Sequence, residues 1–304
     1  MKFVEGKERF ASLEEAKLFV EKHEGDFERR LDDVAERVAT DRSIRLVALS
    51  GPSCSGKTTT ANKLISELES RGRKVRVVSI DDFFYDKERL IELSKANGNG
   101  RIDYDSIKTI DFEALVECVD EIFSDGKTLV PRFDFKLGKR VGYVTYDPDD
   151  DELFIFEGIQ AIYPEITAVF KRYPSISIYI CAQSAIKIGD KIFEPNEIRL
   201  LRRLVRDYNF RATSPEFTMY LWESVRSNED DSIFPYVETC DMQIDSTLAF
   251  DINILKPYLE DVLKKMPDGN EFIDAARRII EKIKDIEPVS REYLAENSLY
   301  NEFI

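Results

Sequence analysis

The sequence predicts an α/β protein, a three-layer sandwich in which helices cover both faces of a mainly parallel sheet, with further helices at both ends of the chain. Short continuous apolar runs such as IRLVALS, ELFIFE and SISIYI are typical of strands that are buried on both faces. These runs alternate with helical segments such as TTTANKLISELESRG and DFEALVECVDEIFSDG, as in sheets whose parallel strands are joined by helices. Hydrophobic residues make up 43% of the 304 residues, so the chain can form a large core.

Residues 1–42 are predicted to form a helical N-terminal extension. The segment SLEEAKLFVEKH opens with Ser12 and Glu15 at the spacing of a capping box. The segment FERRLDDVAERVA repeats apolar residues at helical spacing. We therefore expect two helical segments, with His23 between them in a packing or capping role.

Residues 43–248 are predicted to form the core. KVRVVSI reads as its second strand, and the alternation in TLVPRFDFKLGKRVGYVTYDPDDD predicts a small antiparallel excursion from the sheet edge. The helices EIRLLRRLVRDY and SPEFTMYLWESVR follow, and we expect a lid around residues 184–213. Residues 249–304 are predicted to be a helical C-terminal extension that packs on the core.

Composition limits the classes of partner. A formal net charge of −15 argues against nucleic acid, because binding to a polyanion depends on neutralising its phosphates. No apolar run approaches the length of a membrane span, and the start MKFVEGKERF lacks the pattern of a signal peptide. Scattered cysteines and a single histidine argue against a disulfide framework or structural zinc. We expect a cytoplasmic protein with no membrane partner, and a homo-oligomer remains open.

The stretch GPSCSGKTTT matches GxxxxGK[ST] at every fixed position, between a predicted strand and a predicted helix. Such a loop points its backbone N–H groups at phosphate oxygens. The predicted fold is therefore that of a P-loop NTPase that binds ATP and Mg²⁺. Lys57 is expected to reach the β- and γ-phosphates, and the hydroxyl of Thr58 to bind Mg²⁺. The absence of an NKxD-type element favours ATP over GTP. The predicted nucleotide contacts are Gly51, Ser53, Cys54, Ser55, Gly56, Lys57, Thr58 and Thr59.

Carboxylates follow two of the predicted strands. Asp81 and Asp82 come directly after KVRVVSI, and Glu157 ends ELFIFE. Since parallel strands deliver their carboxyl ends to one edge of the sheet, these acids are expected beside the P-loop. Phosphoryl transfer needs a metal ligand and often a base, and Asp81 and Glu157 are predicted to join Thr58 as metal ligands. The alternative is that the acids merely form turns and caps.

Two groups of basic residues stand out in this acidic chain. The first lies on one face of a predicted helix and just beyond it, and consists of Arg199, Arg202, Arg203, Arg206 and Arg211. Few acidic residues lie nearby in sequence, which favours a role at phosphates for at least two of the arginines over a solvated helix face. The second group is Arg132, Lys136, Lys139 and Arg140, and an exposed hairpin would account for it equally well.

The order GPSCSGKTT, SIDDFF, PRFDFKLGKR, FEGI and RRLVRD resembles the uridine kinase and phosphoribulokinase-like P-loop kinases, over about residues 44–245. The chain is most similar to the kinase portion of bacterial uridine kinase-like proteins that carry a threonyl-tRNA-synthetase-like region ahead of the kinase. The likeness to those proteins extends to WESVR, IFPYVE, ILKPYLEDVL and ENSLYNEFI.

The resemblance implies roles for individual residues. Asp81 matches the general base on the acceptor hydroxyl, and Asp105 matches an acid that holds sugar hydroxyls. Phe133 lies where the family places a base-stacking tyrosine, and Arg203 matches a substrate-contacting lid arginine. The catalytic residues predicted in this way are Lys57, Asp81, Arg206 and Arg211. The predicted substrate contacts are Asp105, Phe133, Arg140 and Arg203.

Two positions depart from the uridine kinase pattern. Gly138 replaces a histidine that contacts the pyrimidine, and Thr213 replaces a further lid arginine. The resemblance therefore implies ATP-dependent phosphorylation of a small-molecule hydroxyl, with a nucleoside such as uridine or cytidine as the first candidate. A different sugar, polyol or vitamin-like alcohol is the alternative acceptor. An ATP-binding regulator without small-molecule kinase activity is the alternative of another class.

Overall fold

The computed structural model of the protein describes residues 2–96, 104–124 and 127–304. Its strands are β1 (Phe3–Glu5), β2 (Leu46–Ser50), β3 (Val75–Ser79), β4 (Thr128–Asp134), β5 (Lys139–Tyr146), β6 (Leu153–Glu157), β7 (Ser175–Cys181), β8 (Ala185–Ile188), β9 (Lys191–Phe193) and β10 (Met242–Asp245). Its α-helices are α1 (Leu13–Thr40), α2 (Lys57–Ser70), α3 (Lys87–Ala96), α4 (Phe112–Phe123), α5 (Pro164–Phe170), α6 (Pro195–Arg211), α7 (Pro215–Ser232), α8 (Asp251–Leu263) and α9 (Ile273–Ile283).

A five-stranded sheet with the order β10-β7-β2-β6-β3 forms the centre, and all its neighbouring strands are parallel. Side chains of β2 alternate between the two faces, as the period of a strand requires. Val47 and Leu49 pack into the core beneath α1, α2, α6 and α8, whereas Leu46 and Ala48 pack against α4 and α5. The predicted α/β sandwich with a mainly parallel sheet is confirmed.

The N-terminal segment differs from the prediction in two ways. Residues Leu13–Thr40 form one helix of 28 residues, so the expected division into two segments at His23 was wrong. Buried positions such as Val20, Phe27 and Leu31 continue one helical face across this point. The helix contains Gly25, and the burial of this face outweighs the cost of about 1 kcal/mol for a glycine inside a helix. In addition, β1 pairs with β8, which pairs with β9. The cap at Ser12 is as predicted, since its side chain accepts a hydrogen bond from the Glu15 N–H.

The antiparallel excursion is confirmed as the hairpin of β4 and β5. After α9, the chain ends in short turns, and residues 298–304 pack between α2 and α6. Tyr300 and Phe303 are fully buried there. In the part of the chain that the structure describes, every helix is too short or too polar to cross a lipid bilayer.

Two fully buried ion pairs connect α6 to its neighbours. Arg199 forms paired hydrogen bonds of 2.6 Å with Glu229 on α7. Arg202 forms paired hydrogen bonds of 2.8 and 2.9 Å with Asp251 at the start of α8. A bidentate arginine–carboxylate pair with no solvent exposure fixes the geometry of both partners, because removing either leaves an isolated buried charge.

We therefore predict that Arg202→Ala lowers the free energy of unfolding by about 3–5 kcal/mol, because the buried carboxyl of Asp251 loses its partner. The matched control is Arg277→Ala, which removes an exposed pair with Asp268 and should cost at most about 1 kcal/mol. Denaturant-induced unfolding measures both values. Equal losses in the two variants would contradict the structural role assigned to Arg202.

Candidate active site

The loop between β2 and α2 has a backbone that requires its glycines. A Cβ at Gly51 would collide with the carbonyl oxygen of Ile180, and Gly56 has a φ of +94° with the side chain of Leu299 directly against it. Cys54 is buried with a φ of +60°, a conformation that costs a non-glycine residue free energy. These features describe a compact, strained turn at the start of a helix, which is the arrangement of a phosphate-binding loop.

Two buried arginines of α6 contact the backbone of this loop. Arg199 donates to the carbonyl oxygen of Ser53 at 3.3 Å, and Arg202 lies 3.5 Å from that of Cys54. Both guanidinium groups thus bind the loop backbone rather than face outward. The expectation that few acids are available to pair with the arginines of this helix was wrong, and the partners of these two come from distant parts of the sequence.

Arg203, Arg206 and Arg211 share a single carboxylate, that of Asp207. The distances from Asp207 are 3.2 Å to Arg203, 2.6 Å to Arg206 and 3.7 Å to Arg211. Arg206 also donates to the hydroxyl of Ser53 at 3.3 Å, which places its guanidinium beside the loop. Three positive charges against one negative charge leave a local excess suited to an anion. This surrounding favours the predicted phosphate-directed roles of Arg206 and Arg211.

The acids predicted at the sheet edge come together as the parallel pairing requires. Strands β3 and β6 are neighbours, Ser79 is the register partner of Glu157, and its hydroxyl donates to the Glu157 carboxylate at 3.1 Å. Burial, followed by the nearby charge of Glu157, raises the pKa of Asp81 from 3.8 to about 7, while Lys57 acts in the opposite direction and Asp105 adds to the rise. Four of the predicted site residues therefore lie within electrostatic reach of one another.

Asp82 has a different environment from Asp81. Its carboxylate accepts hydrogen bonds from the Arg132 guanidinium at 3.1 Å and from the Phe133 N–H at 2.9 Å. Both donors belong to β4, so Asp82 attaches the hairpin to the end of β3. Asp81 thus lies at the candidate site, whereas Asp82 supports the site by holding the hairpin in place.

An aromatic cluster lies next to this hairpin. The ring of Phe84 is within 6.0 Å of the rings of Tyr104, Phe133 and Phe135, and Phe133 and Phe135 lie 5.2 Å apart. Tyr104 precedes Asp105, whose carbonyl oxygen accepts a hydrogen bond of 2.6 Å from the Tyr163 hydroxyl. Tyr104 and Phe135 were not among the predicted site residues. The alternation FDF in PRFDFKLGKR was a usable signal for Phe135, because residues two apart in a strand share a face.

Two hairpin positions are explained by local structure. The Arg140 guanidinium lies 3.0 Å from both the Asp111 carboxylate and the Phe83 carbonyl oxygen, which favours a structural role over the predicted substrate contact. Gly138 has a φ of +64° in the hairpin turn, with Lys87 packed against it. A histidine at this position would have a strained backbone. The geometry of the turn therefore explains why glycine replaces the histidine of the uridine kinase pattern.

Within the described ranges, no group of three or more His, Cys, Asp or Glu side chains is arranged to enclose a metal ion. Mg²⁺ at a phosphoryl-transfer site needs fewer protein ligands, since it binds one or two carboxylates together with phosphate oxygens and water. Asp81 and Glu157 at the sheet edge and the hydroxyl of the exposed Thr58 at the start of α2 are oxygen donors of the type it prefers. The donor set fits Mg²⁺.

A phosphate-binding loop between a buried parallel strand and a helix, with acids at the adjacent strand ends, defines a P-loop α/β protein. The sequence profile of the "Phosphoribulokinase / Uridine kinase family" matches residues 46–253, and the chain belongs to this family.

Known proteins agree with this assignment. The chain is 24% identical over 258 residues to uridine-cytidine kinase C of Dictyostelium discoideum. The match covers 84% of this chain and 50% of that protein. It is 30% identical over 184 residues to the uridine kinase of Ureaplasma urealyticum serovar 10, and this match covers 60% of this chain and 78% of that enzyme. The chain thus spans half the length of the Dictyostelium relative.

Among solved structures, the fold is similar to that of a protein from Silicibacter sp. TM1040 that was described as a fructose transport system kinase. The TM-score is 0.51 at 21% identity, and the match covers 70% of this chain and 98% of the other. At this identity, the likeness supports the fold alone.

The raised pKa of Asp81 leads to a prediction about stability. Because the carboxyl binds its proton more tightly in the folded protein, its contribution to stability is present at low pH and is lost as the pH rises from about 4 to about 7. Asp81→Asn should therefore stabilise the protein at pH 8 by roughly 4 kcal/mol at most, and the gain should shrink toward zero near pH 4. Denaturant unfolding with EDTA and without nucleotide measures this difference.

Asp150→Asn, on an exposed loop, is the control and should show no such pH dependence. A gain for Asp81→Asn that is equal at pH 4.5 and pH 8, or a loss at pH 8, would contradict the environment described for this carboxyl.

Proposed function

We propose that this chain is an ATP- and Mg²⁺-dependent kinase that transfers the γ-phosphoryl group to a hydroxyl of a small molecule, with a nucleoside such as uridine or cytidine as the acceptor. The observation that carries the proposal is the convergence of Asp81, Glu157 and Lys57 where β3 and β6 end beside the P-loop. Membership of the family and the printed names of the relatives support it.

Asp81 is proposed as the general base. As the acceptor oxygen forms its bond to the γ-phosphorus and the bond to the β-phosphate oxygen breaks, Asp81 takes the hydroxyl proton and ADP leaves. A carboxyl with a pKa of about 7 holds a proton more readily than an ordinary aspartate and is still largely ionised at slightly alkaline pH. Such a group is matched to proton transfer at physiological pH.

The charged groups around the loop are proposed to have separate roles in phosphoryl transfer. Lys57, Arg206 and Arg211 are proposed to neutralise the phosphate oxygens from the side of α2 and α6. Mg²⁺, bound by Thr58, Glu157 and Asp81, would supply charge neutralisation and alignment of the phosphates. Backbone N–H groups of the loop, with Ser53, Cys54, Ser55 and Thr59 among its residues, are proposed to hold the nucleotide in place.

The acceptor side favours a flat ring attached to a polyhydroxylated group. Asp105 is proposed to accept hydrogen bonds from sugar hydroxyls, because its charge is within reach of Asp81. Phe133 and the rings around it offer apolar faces on which a base can stack. Arg203, beside Asp207, is proposed to contact the substrate from α6. A bare sugar or polyol would leave the aromatic faces without a complementary group.

The remaining expectations are part of the same proposal. We retain the division into a helical lead-in at 1–42, a kinase core at 43–248 and a helical extension at 249–304. A lid around 184–213 would have to move mainly beyond Arg202, because Arg199 and Arg202 are fixed in buried ion pairs. The four free cysteines support a reducing compartment such as the cytoplasm.

Two variants separate the base from the nucleotide site. Asp81→Asn should lower kcat by about 10²–10⁴-fold and weaken ATP binding much less than Lys57→Ala does, because the base and one carboxylate of the metal site are lost while the phosphate-binding loop is kept. Lys57→Ala should weaken ATP binding and abolish turnover, since a phosphate-directed charge is removed. Release of ADP and calorimetric titration with ATP measure the two effects. A wild-type kcat in Asp81→Asn would contradict the role of Asp81 as the general base. Unchanged ATP affinity in Lys57→Ala would contradict the proposal that the P-loop binds the nucleotide.

A screen of acceptors tests the substrate class. We expect ATP-dependent phosphorylation of a nucleoside in preference to sugars and polyols, measured by ADP release and by the mass of the product. Asp81→Asn serves as the control for ATP hydrolysis that is independent of the site. A sugar or polyol phosphate as the main product would contradict the nucleoside proposal. ATP binding without any phosphorylated product would favour the regulator instead.

A further inference from the structure

Residues 298–304, which we call the tail segment, lie directly on the P-loop. The side chain of Leu299 packs against Gly56, and the rings of Tyr300 and Phe303 lie 5.9 and 5.4 Å from the Arg202 guanidinium. The Phe303 carbonyl oxygen accepts a hydrogen bond of 3.3 Å from the side chain of Asn209. The backbone of the tail segment is thus fixed between the P-loop and α6.

One carboxylate of the tail segment reaches the groups proposed to bind phosphate. Glu302 accepts a hydrogen bond of 3.1 Å from the Thr59 hydroxyl on the first turn of α2. The Arg206 guanidinium is also within its electrostatic reach. Burial acts in the opposite direction, but the nearby carboxylates of Asp207 and Glu302 contribute to a raised pKa of the Arg206 guanidinium. Glu302 is therefore a negative charge between the N-terminus of α2 and the arginine cluster of α6.

The position of this carboxylate is unfavourable for a nucleotide. Thr59 and Arg206 are donors that a phosphate oxygen would use, and the N-terminus of α2 attracts any anion placed near it. A carboxylate and a phosphate draw on the same donors and repel each other when both are present. Since Tyr300 and Phe303 anchor the backbone, the side chain of Glu302 can turn away without unfolding the tail segment.

We propose that Glu302 is an internal competitor of the nucleotide phosphates, so that the tail segment sets the affinity of the P-loop for nucleotide. The inference rests on the proposed function, because it assumes that the P-loop binds ATP. It makes affinity for phosphorylated ligands depend on a residue 243 positions away from Thr59 in the sequence. Adenosine carries no phosphate, and its binding is outside this competition.

The test is Glu302→Gln, which removes the charge and keeps the size and a hydrogen-bond acceptor. Titration calorimetry at constant free Mg²⁺ compares ATP, ADP and adenosine. We expect Kd for ATP and ADP to fall about five- to tenfold, as expected when a like charge within several ångströms is removed, and Kd for adenosine to stay within about twofold. The gain should shrink between low and high salt, because ions screen the repulsion.

Glu296→Gln is the matched control, since Glu296 is an exposed glutamate just ahead of the tail segment, and it should change none of these values. Glu302→Ala should tighten ATP binding in the same direction, which makes the result independent of one variant's folding. Thermal unfolding of each variant checks that the fold is retained.

Unchanged or weaker ATP binding in Glu302→Gln and Glu302→Ala would overturn the inference. A parallel weakening for adenosine would show that Glu302 contacts the nucleoside instead, and this also overturns it. The proposed function is tested separately by wild-type binding of ATP and its loss in Lys57→Ala. If wild-type protein binds no ATP, both proposals fail; if it does and Glu302→Gln does not tighten binding, only the competitor fails.

Discussion

The contact between two buried guanidinium groups and the backbone of the P-loop is the interaction on which the rest of the site depends. A phosphate-binding loop uses its N–H groups for the ligand, so its buried carbonyl groups need donors within the protein. Arg199 and Arg202 supply donors to the carbonyl groups of Ser53 and Cys54, and Cys54 itself has a strained backbone. Such strain persists only where the surrounding structure fixes it, and here two bidentate ion pairs do so.

This interaction also divides α6 by function. The exposed fractions of the arginine side chains are 0% for Arg199 and Arg202, 11% and 8% for Arg203 and Arg206, and 59% for Arg211. The helix therefore passes from the buried base of the loop to solvent along its length. Its first half fixes the loop, and its second half carries positive charge toward solvent at Arg211.

Local pattern was sufficient to predict most of the fold and the carboxylate side of the site. The meeting of the strand ends at Glu157 and before Asp81 follows from two neighbouring parallel strands, and the strands were visible as apolar runs. The partners of Arg199 and Arg202 are 30 and 49 residues away, and no periodicity connects residues at such distances. The same reason hid the contact of Glu302 with Thr59 and the pairing of β1 with β8. The continuity of α1 was not predicted, although Val20, Phe27 and Leu31 form one unbroken apolar face across the expected division at His23.

The separation of charge across the P-loop explains how a chain with a net charge of −15 can present a site for a polyanion. Positive groups of α2 and α6 lie on one side, and the acids that follow β3 and β6 lie on the other. Phosphates are attracted to the first side, whereas a metal ion and a proton are attracted to the second. In the proposed function, these opposed charges would give a bound triphosphate one favoured orientation, with its terminal group toward Asp81. Glu302 interrupts this pattern by placing a negative charge on the positive side, which is why its removal is expected to affect phosphorylated ligands alone.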